Sequence, residues 1–270
     1  MSEQIKSSKG TALITGASSG IGAIYADRLA SRGHDLILVA RNRERLDALA
    51  TRLTDDSGRS VEVIVADLNN KADLARVEQV LRTDPSITVL VNNAGISMSG
   101  DLASADPDRL ESMIQLNVLA PSRLALAAIP SFLARGSGTL INISSVLALA
   151  PELFNGSYSG TKAYLLQLSL RLHQEVASKG VRVQVVLPGA TRTAIWEKAG
   201  TDIATLPPSI LMDADEMVDA ALAGLDRGET VTIPSLPDIA DWEAYEAARQ
   251  SIIPKLSLSS PAARYRVTAA

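Results

Sequence analysis

Short apolar runs alternate along this chain with stretches whose apolar residues recur every three or four positions. The runs at 12–14, 36–40, 61–66, 87–91, 139–143, 181–187 and 230–233 predict seven strands. Unbroken runs such as Leu-Ile-Leu-Val-Ala at 36–40 suit strands covered on both faces. Helical patterns lie between them. Residues 21–30 are small and apolar on one side, 43–54 carry Leu46, Leu49 and Leu53, and 158–179 align Leu165, Leu168, Leu172 and Val176 on one stripe. Strands alternating with helices imply right-handed crossovers, hence an α/β fold with a doubly wound parallel sheet and helices on both faces. The rhythm breaks after 190, where Gly200, Pro207 and Pro208 predict a substrate loop over 190–215. Residues 1–270 read as one domain with a tail at 234–270. The tail holds a short amphipathic piece (Trp242, Tyr245, Ala248) and Pro254 and Pro261, and it is expected to cap the site or pack on another subunit.

Composition narrows the function. Of 270 residues, 46% are hydrophobic and 21% charged, which argues against disorder. Lys and Arg number 26 against 30 Asp and Glu, a net charge of -4, so no basic excess exists to neutralise a nucleic acid. There is no cysteine, which excludes disulfides, thiolate nucleophiles and cysteine metal sites. The two histidines, His34 and His173, lie far apart and give a poor start to a metal site or a Ser-His-Asp triad. We assign neither a role, reading His34 as part of a turn and His173 as a surface or subunit-contact residue. Residues 1–10 lack the apolar core of a signal peptide. The apolar stretch 116–133 is interrupted by Asn117, Pro121, Arg123 and Pro130, more polar than a membrane span. The expectation is a cytoplasmic protein with no membrane span and no nucleic-acid partner.

The first strand runs into Thr15-Gly16-Ala17-Ser18-Ser19-Gly20-Ile21-Gly22. Glycines between a strand and a helix allow a tight turn, close backbone approach to a pyrophosphate and close helix–strand packing. The helix N-terminus then offers N–H groups and positive dipole to the phosphates. The second strand ends at Ala40 and Arg41, where a carboxylate would select NAD by binding the ribose 2′-OH. An arginine there matches the 2′-phosphate of NADP, with Ser18 as a second contact; the alternative is that Arg41 and Arg43 are solvated helix residues. Asp67, followed by Leu68, closes strand three and can accept from the adenine amino group. Asn92-Asn93-Ala94-Gly95 closes strand four, where Asn side chains bond to local backbone.

Tyr158 and Lys162 are four residues apart and share a helix face. Ser145 follows strand five, so all three can meet at the carboxyl edge of the sheet, where ligands of such folds bind. A free tyrosine has a pKa of about 10. The lysine, and oxidised nicotinamide with it, is expected to lower that value. Tyr158 would then protonate a carbonyl oxygen as hydride arrives, and Ser145 would hydrogen-bond the same oxygen. Lys162 can also bind the nicotinamide ribose. Asn117, a poor helix former, is expected to kink its helix and hold a water beside Lys162. Alone, a Tyr–Lys pair at this spacing is an ordinary surface pair; the glycine turn and Ser145 give it weight.

Taken together, Thr15-Gly16-x-x-x-Gly20-Ile21-Gly22, Asn92-Asn93-Ala94-Gly95, Asn117, Ser145, Tyr158-x-x-x-Lys162 and Pro188-Gly189 resemble the short-chain dehydrogenase/reductase family over about residues 9–233. That resemblance implies a Rossmann-type seven-stranded parallel sheet, NAD(P)(H) as cofactor, and a catalytic set of Asn117, Ser145, Tyr158 and Lys162. It also implies cofactor contacts from Gly16, Ser18, Ser19, Gly20, Ile21, Gly22, Arg41, Asp67, Leu68, Asn93, Ala94, Gly95, Tyr158 and Lys162. Pro188, Gly189 and Thr191 or Thr193 would meet the nicotinamide carboxamide. A homodimer or homotetramer built on the helices at 106–133 and 158–179 is implied too. Two departures stand out. The residues after Ser145 are Val146-Leu147-Ala148-Leu149, where many members have a glycine, and position 19 is Ser19 rather than the basic residue of many NADP users.

Ile96, Ser97, Met98, Leu147, Leu153, Phe154, Ile195 and Trp196 are expected around the reacting carbon, although several, Ile96 above all, also suit the core. Such an apolar lining suits a ketone or aldehyde with a hydrophobic body, with Arg192 either meeting a polar tail or solvated. The leading expectation is an NADPH-dependent carbonyl reductase acting reversibly on a small-molecule carbonyl or alcohol. A 3-oxoacyl-thioester reductase and a non-catalytic NADP-binding regulatory protein are the alternatives.

Overall fold

A computed structural model of the chain describes residues 9–98, 100, 103, 105–198 and 202–265. The polar leader at 1–8, residues 199–201 of the expected substrate loop and the last five residues of the tail lie outside that set. The apolar runs become β1 (Thr11–Thr15), β2 (Asp35–Ala40), β3 (Val61–Val65), β4 (Ile87–Asn92), β5 (Gly138–Ile143), β6 (Val181–Val186) and β7 (Val231–Thr232). They form one seven-stranded sheet in the order β3-β2-β1-β4-β5-β6-β7, parallel throughout. The helices are α1 (Gly20–Ser31), α2 (Arg43–Ser57), α3 (Lys71–Thr83), α4 (Pro107–Ile114), α5 (Ala120–Arg135), α6 (Gly156–Val176), α7 (Ile195–Lys198), α8 (Ala214–Asp226) and α9 (Ile239–Ile252).

The unbroken apolar strands now have their reason. Successive strand residues point to opposite faces, and both faces are covered. Leu13, Ile37, Leu90 and Leu140 pack with Leu74, Leu81, Phe132 and Val176 of α3, α5 and α6. Their neighbours Ile14, Leu38, Val91 and Ile141 pack with Tyr25, Leu46, Met217 and Leu222 of α1, α2 and α8. Each such Leu, Ile or Phe fully buried stabilises by roughly 1.5–3 kcal/mol. β1 and β4 are neighbours although β1 leads by α1 to β2 on its other side. The cleft where strand order reverses therefore opens at their carboxyl ends, beside the glycine turn and Asn93.

α4 and α5 are joined by a π-helical turn, Gln115–Leu119. The stretch read from sequence as broken is thus part of one helical run, Pro107–Arg135, long and apolar enough to cross a membrane by length and composition. Half of its most apolar window is buried inside the protein. Pro121, at the start of α5, lies within this run and has no N–H to give the turn before it, and the π turn stands next to it, as helix irregularities commonly do beside proline. The distortion expected at Asn117 is this π turn. Between α3 and α5, buried Glu78 bonds Arg82 at 3.0 Å and also Arg123. Burial alone would raise the Glu78 carboxyl, but the two guanidinium hydrogen bonds prevail and hold it below the usual carboxylate range.

The chain divides into two compact units, one ending at Pro234 and one starting at Ser235. The second consists of α9, capped by Asp238, which accepts from Ala240 N, and two 3-10 turns, Ile253–Lys255 and Ala263–Tyr265.

Candidate active site

The glycine turn is built as its composition requires. Gly16 and Gly20 have φ of 68° and 55°, the left-handed region that penalises any side chain. A Cβ on Gly16 would stand 2.8 Å from Asn93 Nδ2, and one on Gly22 would stand 2.5 Å from both Asn93 Nδ2 and Gly16 O. Asn93 is the clamp: its amide donates to Thr15 O at 2.9 Å and Gly16 O at 3.3 Å, while Thr15 Oγ1 accepts from Asn93 N and Ala94 N. Ser19 sits at the N-cap of α1 without a side-chain cap, and the first turn carries no acidic residue. Those amides and the helix dipole suit a phosphate group. Side-chain-free glycines beside uncapped helix amides allow the close approach a dinucleotide's pyrophosphate needs, so this turn fits the cofactor implied by the sequence. Gly20 faces Thr193, whose Cγ2 would lie 3.4 Å from an added Cβ.

At the carboxyl ends of β2 and β3, the Arg41 side chain is 70% exposed and lies 3.9 Å from Asp67 Oδ2. Asp67 Oδ1 accepts from Asn69 N, and Leu68 is buried. Ser18 is half-buried in the turn.

Tyr158 and Lys162 lie in the first turns of α6, which Asn155 starts by accepting from Ser157 N and Tyr158 N. Tyr158 is buried against Met98 and Met113. Lys162 Nζ donates to Ile143 O at 3.0 Å and lies 5.5 Å from the centroid of the Tyr158 ring. A Cβ on Gly95 would stand 3.1 Å from Asn117 Oδ1 and 3.6 Å from Lys162 Nζ, so three sequence-predicted residues converge. Asn117 is committed at both side-chain atoms. Its Oδ1 accepts from Ile96 N at 3.0 Å, and its Nδ2 donates to Ile96 O at 2.8 Å and Thr161 Oγ1 at 3.1 Å. Ser145 Oγ accepts from Leu147 N at 3.2 Å and reaches Pro188 O at only 3.5 Å. Pro188 O also accepts from Val146 N, and Thr191 Oγ1 donates to Gly189 O. The serine loop and the Pro188–Thr191 segment are therefore tied together.

One expectation is corrected. Burial pushes the Tyr158 phenol above its ordinary value instead of the lysine drawing it down. Desolvation of the phenolate outweighs a cation that sits over the ring and bonds Ile143 O. Burial also pushes the Lys162 ammonium down to about 8.

The sequence profile of the short chain dehydrogenase family matches residues 10–204. The chain belongs to the short-chain dehydrogenase family. A solved short-chain dehydrogenase from Sphingobium yanoikuyae in complex with NADPH is 51% identical, with a TM-score of 0.93 over 95% of this chain and 100% of that one. A bulky-bulky ketone specific alcohol dehydrogenase from Comamonas testosteroni is 45% identical, with a TM-score of 0.89 over 96% of this chain and 99% of that one. The very-long-chain 3-oxoacyl-CoA reductase of Anas platyrhynchos is 37% identical over 66% of this chain, a match that spans 58% of the relative. As a short-chain dehydrogenase, the chain is an oxidoreductase of a family that uses NAD(P).

Beside Tyr158 in this short-chain dehydrogenase, Phe154 stands edge-on to Tyr158 at 6.0 Å and to Trp196 at 6.2 Å between ring centroids. Trp196 Nε1 donates to Thr191 O at 2.8 Å. A cavity of about 120 Å³ is lined by Gly95–Met98, Ile195, Arg109 and Ser112. Ile96, Leu147 and Phe154 pack around Tyr158, whereas Leu153 is 72% exposed and does not close the wall. Arg192 pairs with Asp213 at 2.9 Å. His34 bonds Gly10 O, and His173, half-buried, bonds Thr230 Oγ1. Sequence reasoning missed Arg109 and Ser112. It also missed Thr161, which orients Asn117, and Ser144, whose Oγ donates to Lys162 O at 2.7 Å. The adjacency of Thr161 to Lys162 and of Ser144 to Ser145 is a signal that points to these last two.

Proposed function

We propose that the protein reduces bulky, apolar ketones or aldehydes to alcohols with NADPH, reversibly, with Tyr158 as the general acid. The observation that carries this reading is the buried pair: Tyr158 packed with Met98 and Met113, and Lys162 Nζ 5.5 Å from its ring. When bound, the nicotinamide cofactor supplies hydride to the carbonyl carbon. Tyr158, held protonated by burial, gives its proton to the carbonyl oxygen. Ser145 hydrogen-bonds that oxygen as charge develops; its 3.5 Å contact to Pro188 O is long for a hydroxyl donor and is readily exchanged. The Lys162 ammonium stabilises the phenolate left behind and would hold the nicotinamide ribose. Asn117 fixes the Ile96 backbone against α6. Pro121 has no N–H to give the turn before it; a carbonyl of the π turn left open in this way would bind a water that resupplies the proton. Gly16, Ser18, Ser19, Gly20, Ile21 and Gly22 would hold the phosphates, Arg41 the 2′-phosphate, Asp67 and Leu68 the adenine, and Asn93, Ala94, Gly95, Pro188, Gly189, Thr191 and Thr193 the nicotinamide end.

The Phe154–Trp196 aromatic wall and the likeness to a protein specific for bulky-bulky ketones support the bulky-substrate reading. The likeness to a very-long-chain 3-oxoacyl-CoA reductase supports a second one, 3-oxoacyl-thioester reduction on the same site. Oxidation of NADPH across aryl-alkyl ketones, diaryl ketones, aldehydes and 3-oxoacyl thioesters decides between them. The first reading expects the highest kcat/KM on ketones with two large substituents. Preference for thioesters selects the second, and turnover confined to small oxo-acids contradicts both.

A further inference from the structure

The cavity beside Tyr158 carries a charge that a purely apolar ketone does not use. Ile96, Met98 and Ile195 line it together with two hydroxyl residues, Ser97 and Ser112, and one charged residue, Arg109. Ile96 and Met98 also belong to the cluster around Tyr158, so the cavity and the proposed acid share walls. Arg109 and Ser112 are three residues apart on α4, and Arg109 and Met113 four, so all three stand on one side of that helix. Met113, fully buried, packs in the same cluster. Arg109 is thus rooted about one turn from a residue that packs with the phenol. α4 itself does not call for an arginine there. Position 109 falls in the first turn of the helix, where a cation opposes the dipole. Among the described residues, Arg109 forms no ion pair, and Ser97 and Ser112 form no side-chain hydrogen bond. Arg192, the arginine that the sequence offers for a polar tail, is engaged instead by Asp213 at 2.9 Å. An unpaired guanidinium beside two free hydroxyls matches a carboxylate, which takes two parallel N–H bonds and further O–H donors. The phosphates of an acyl-CoA lie a pantetheine arm away from the carbonyl, too far for a cavity that shares residues with the surroundings of Tyr158.

We propose that this cavity binds a carboxylate at the end of the substrate's apolar body, held by Arg109 with Ser97 and Ser112 as donors; this rests on the reading of Tyr158 as the acid toward bulky ketones. The preferred substrate class is then a bulky ketone that is also an acid. Para-benzoylbenzoate and its methyl ester, diaryl ketones alike except for that charge, test it in steady-state reduction at saturating NADPH. In the parent, kcat/KM is expected to favour the acid by about tenfold or more, the low end for a hydrogen bond to a charged group because Arg109 is exposed. Arg109→Gln is expected to remove most of that preference, chiefly by raising KM for the acid. Arg109→Lys keeps part of it, as a point charge without the planar fork. Arg192→Gln, which removes a charge that Asp213 already engages, keeps the acid-to-ester ratio within about twofold of the parent's. The proposal is overturned, with the bulky-ketone reading intact, if the ester is reduced as well as the acid or better, if Arg109→Gln leaves the ratio at the parent's value, or if Arg192→Gln lowers it as much. Turnover of neither compound overturns both.

Discussion

Replacing Lys162 by methionine should stabilise the folded protein at neutral pH while abolishing turnover. Lys162 is 5% exposed, and burial brings its ammonium from 10.5 down to about 8. That gap corresponds to about 3 kcal/mol against holding the charged form in the folded protein at pH 7. The unfolded chain binds the proton more tightly, so between about 8 and 10.5 it carries more protons and stability rises with pH. The destabilisation is full below that window and gone above it. Methionine keeps the volume and drops the charge, but leaves Ile143 O without its donor, an offset of about 1 kcal/mol. Lys162→Met is thus expected to be about 2 kcal/mol more stable at pH 7, with the advantage fading as pH approaches 10.5. Tyr25, raised by burial, lowers stability at still higher pH in both proteins and cancels in the difference, whereas Tyr158, also raised by burial, loses its neighbouring cation in the variant and so adds to the fading of the advantage at the top of the range. Guanidinium unfolding of the two proteins from pH 6 to 10.5 measures it. A variant no more stable than the parent at pH 7, with a parallel pH dependence, would refute the reasoning.

Arg41→Ala should lower kcat/KM for NADPH by tens of fold and leave NADH nearly unchanged, because a hydrogen bond to a charged group is worth about 1.5–3 kcal/mol; steady-state kinetics with both cofactors shows it. Glu78→Ala removes a buried carboxylate that two arginines bond. Both arginines stay 36–49% exposed and rehydrate, so the loss is about 2 kcal/mol rather than the larger penalty of a stranded buried charge, read as a lower denaturant midpoint at unchanged activity per folded molecule. Gly95→Ala brings a methyl to 3.1 Å from Asn117 Oδ1 and should cut kcat severalfold at a stability cost of about 1 kcal/mol; a kcat equal to the parent's would show that this contact is unimportant.

The strands were legible because both faces of the sheet are covered, so each apolar run, Leu36 to Ala40 above all, stood out without alternation. The last strand is shorter than its pattern, since only Val231 and Thr232 pair with β6. The glycine turn and the Tyr158–Lys162 spacing were legible because backbone conformation and helix periodicity are local. Burial is not local. The raised Tyr158 phenol, the lowered Lys162 ammonium and the exposure of Leu153 follow from neighbours far along the chain. Asn117 was read as a helix disruptor, which its π turn bears out. Its hold on Ile96 and Thr161 joins residues 21 and 44 positions away and has no signature in spacing.

Tyr158→Phe probes the central claim most directly, because it removes the phenolic hydroxyl and almost nothing else. Measured side by side, ketone reduction should fall by about a hundredfold to ten-thousandfold, the scale of general acid catalysis, while NADPH titrated by fluorescence binds within about twofold of the parent. Reduction that persists at near-parental rate in Tyr158→Phe, with the cofactor still bound, would contradict the account.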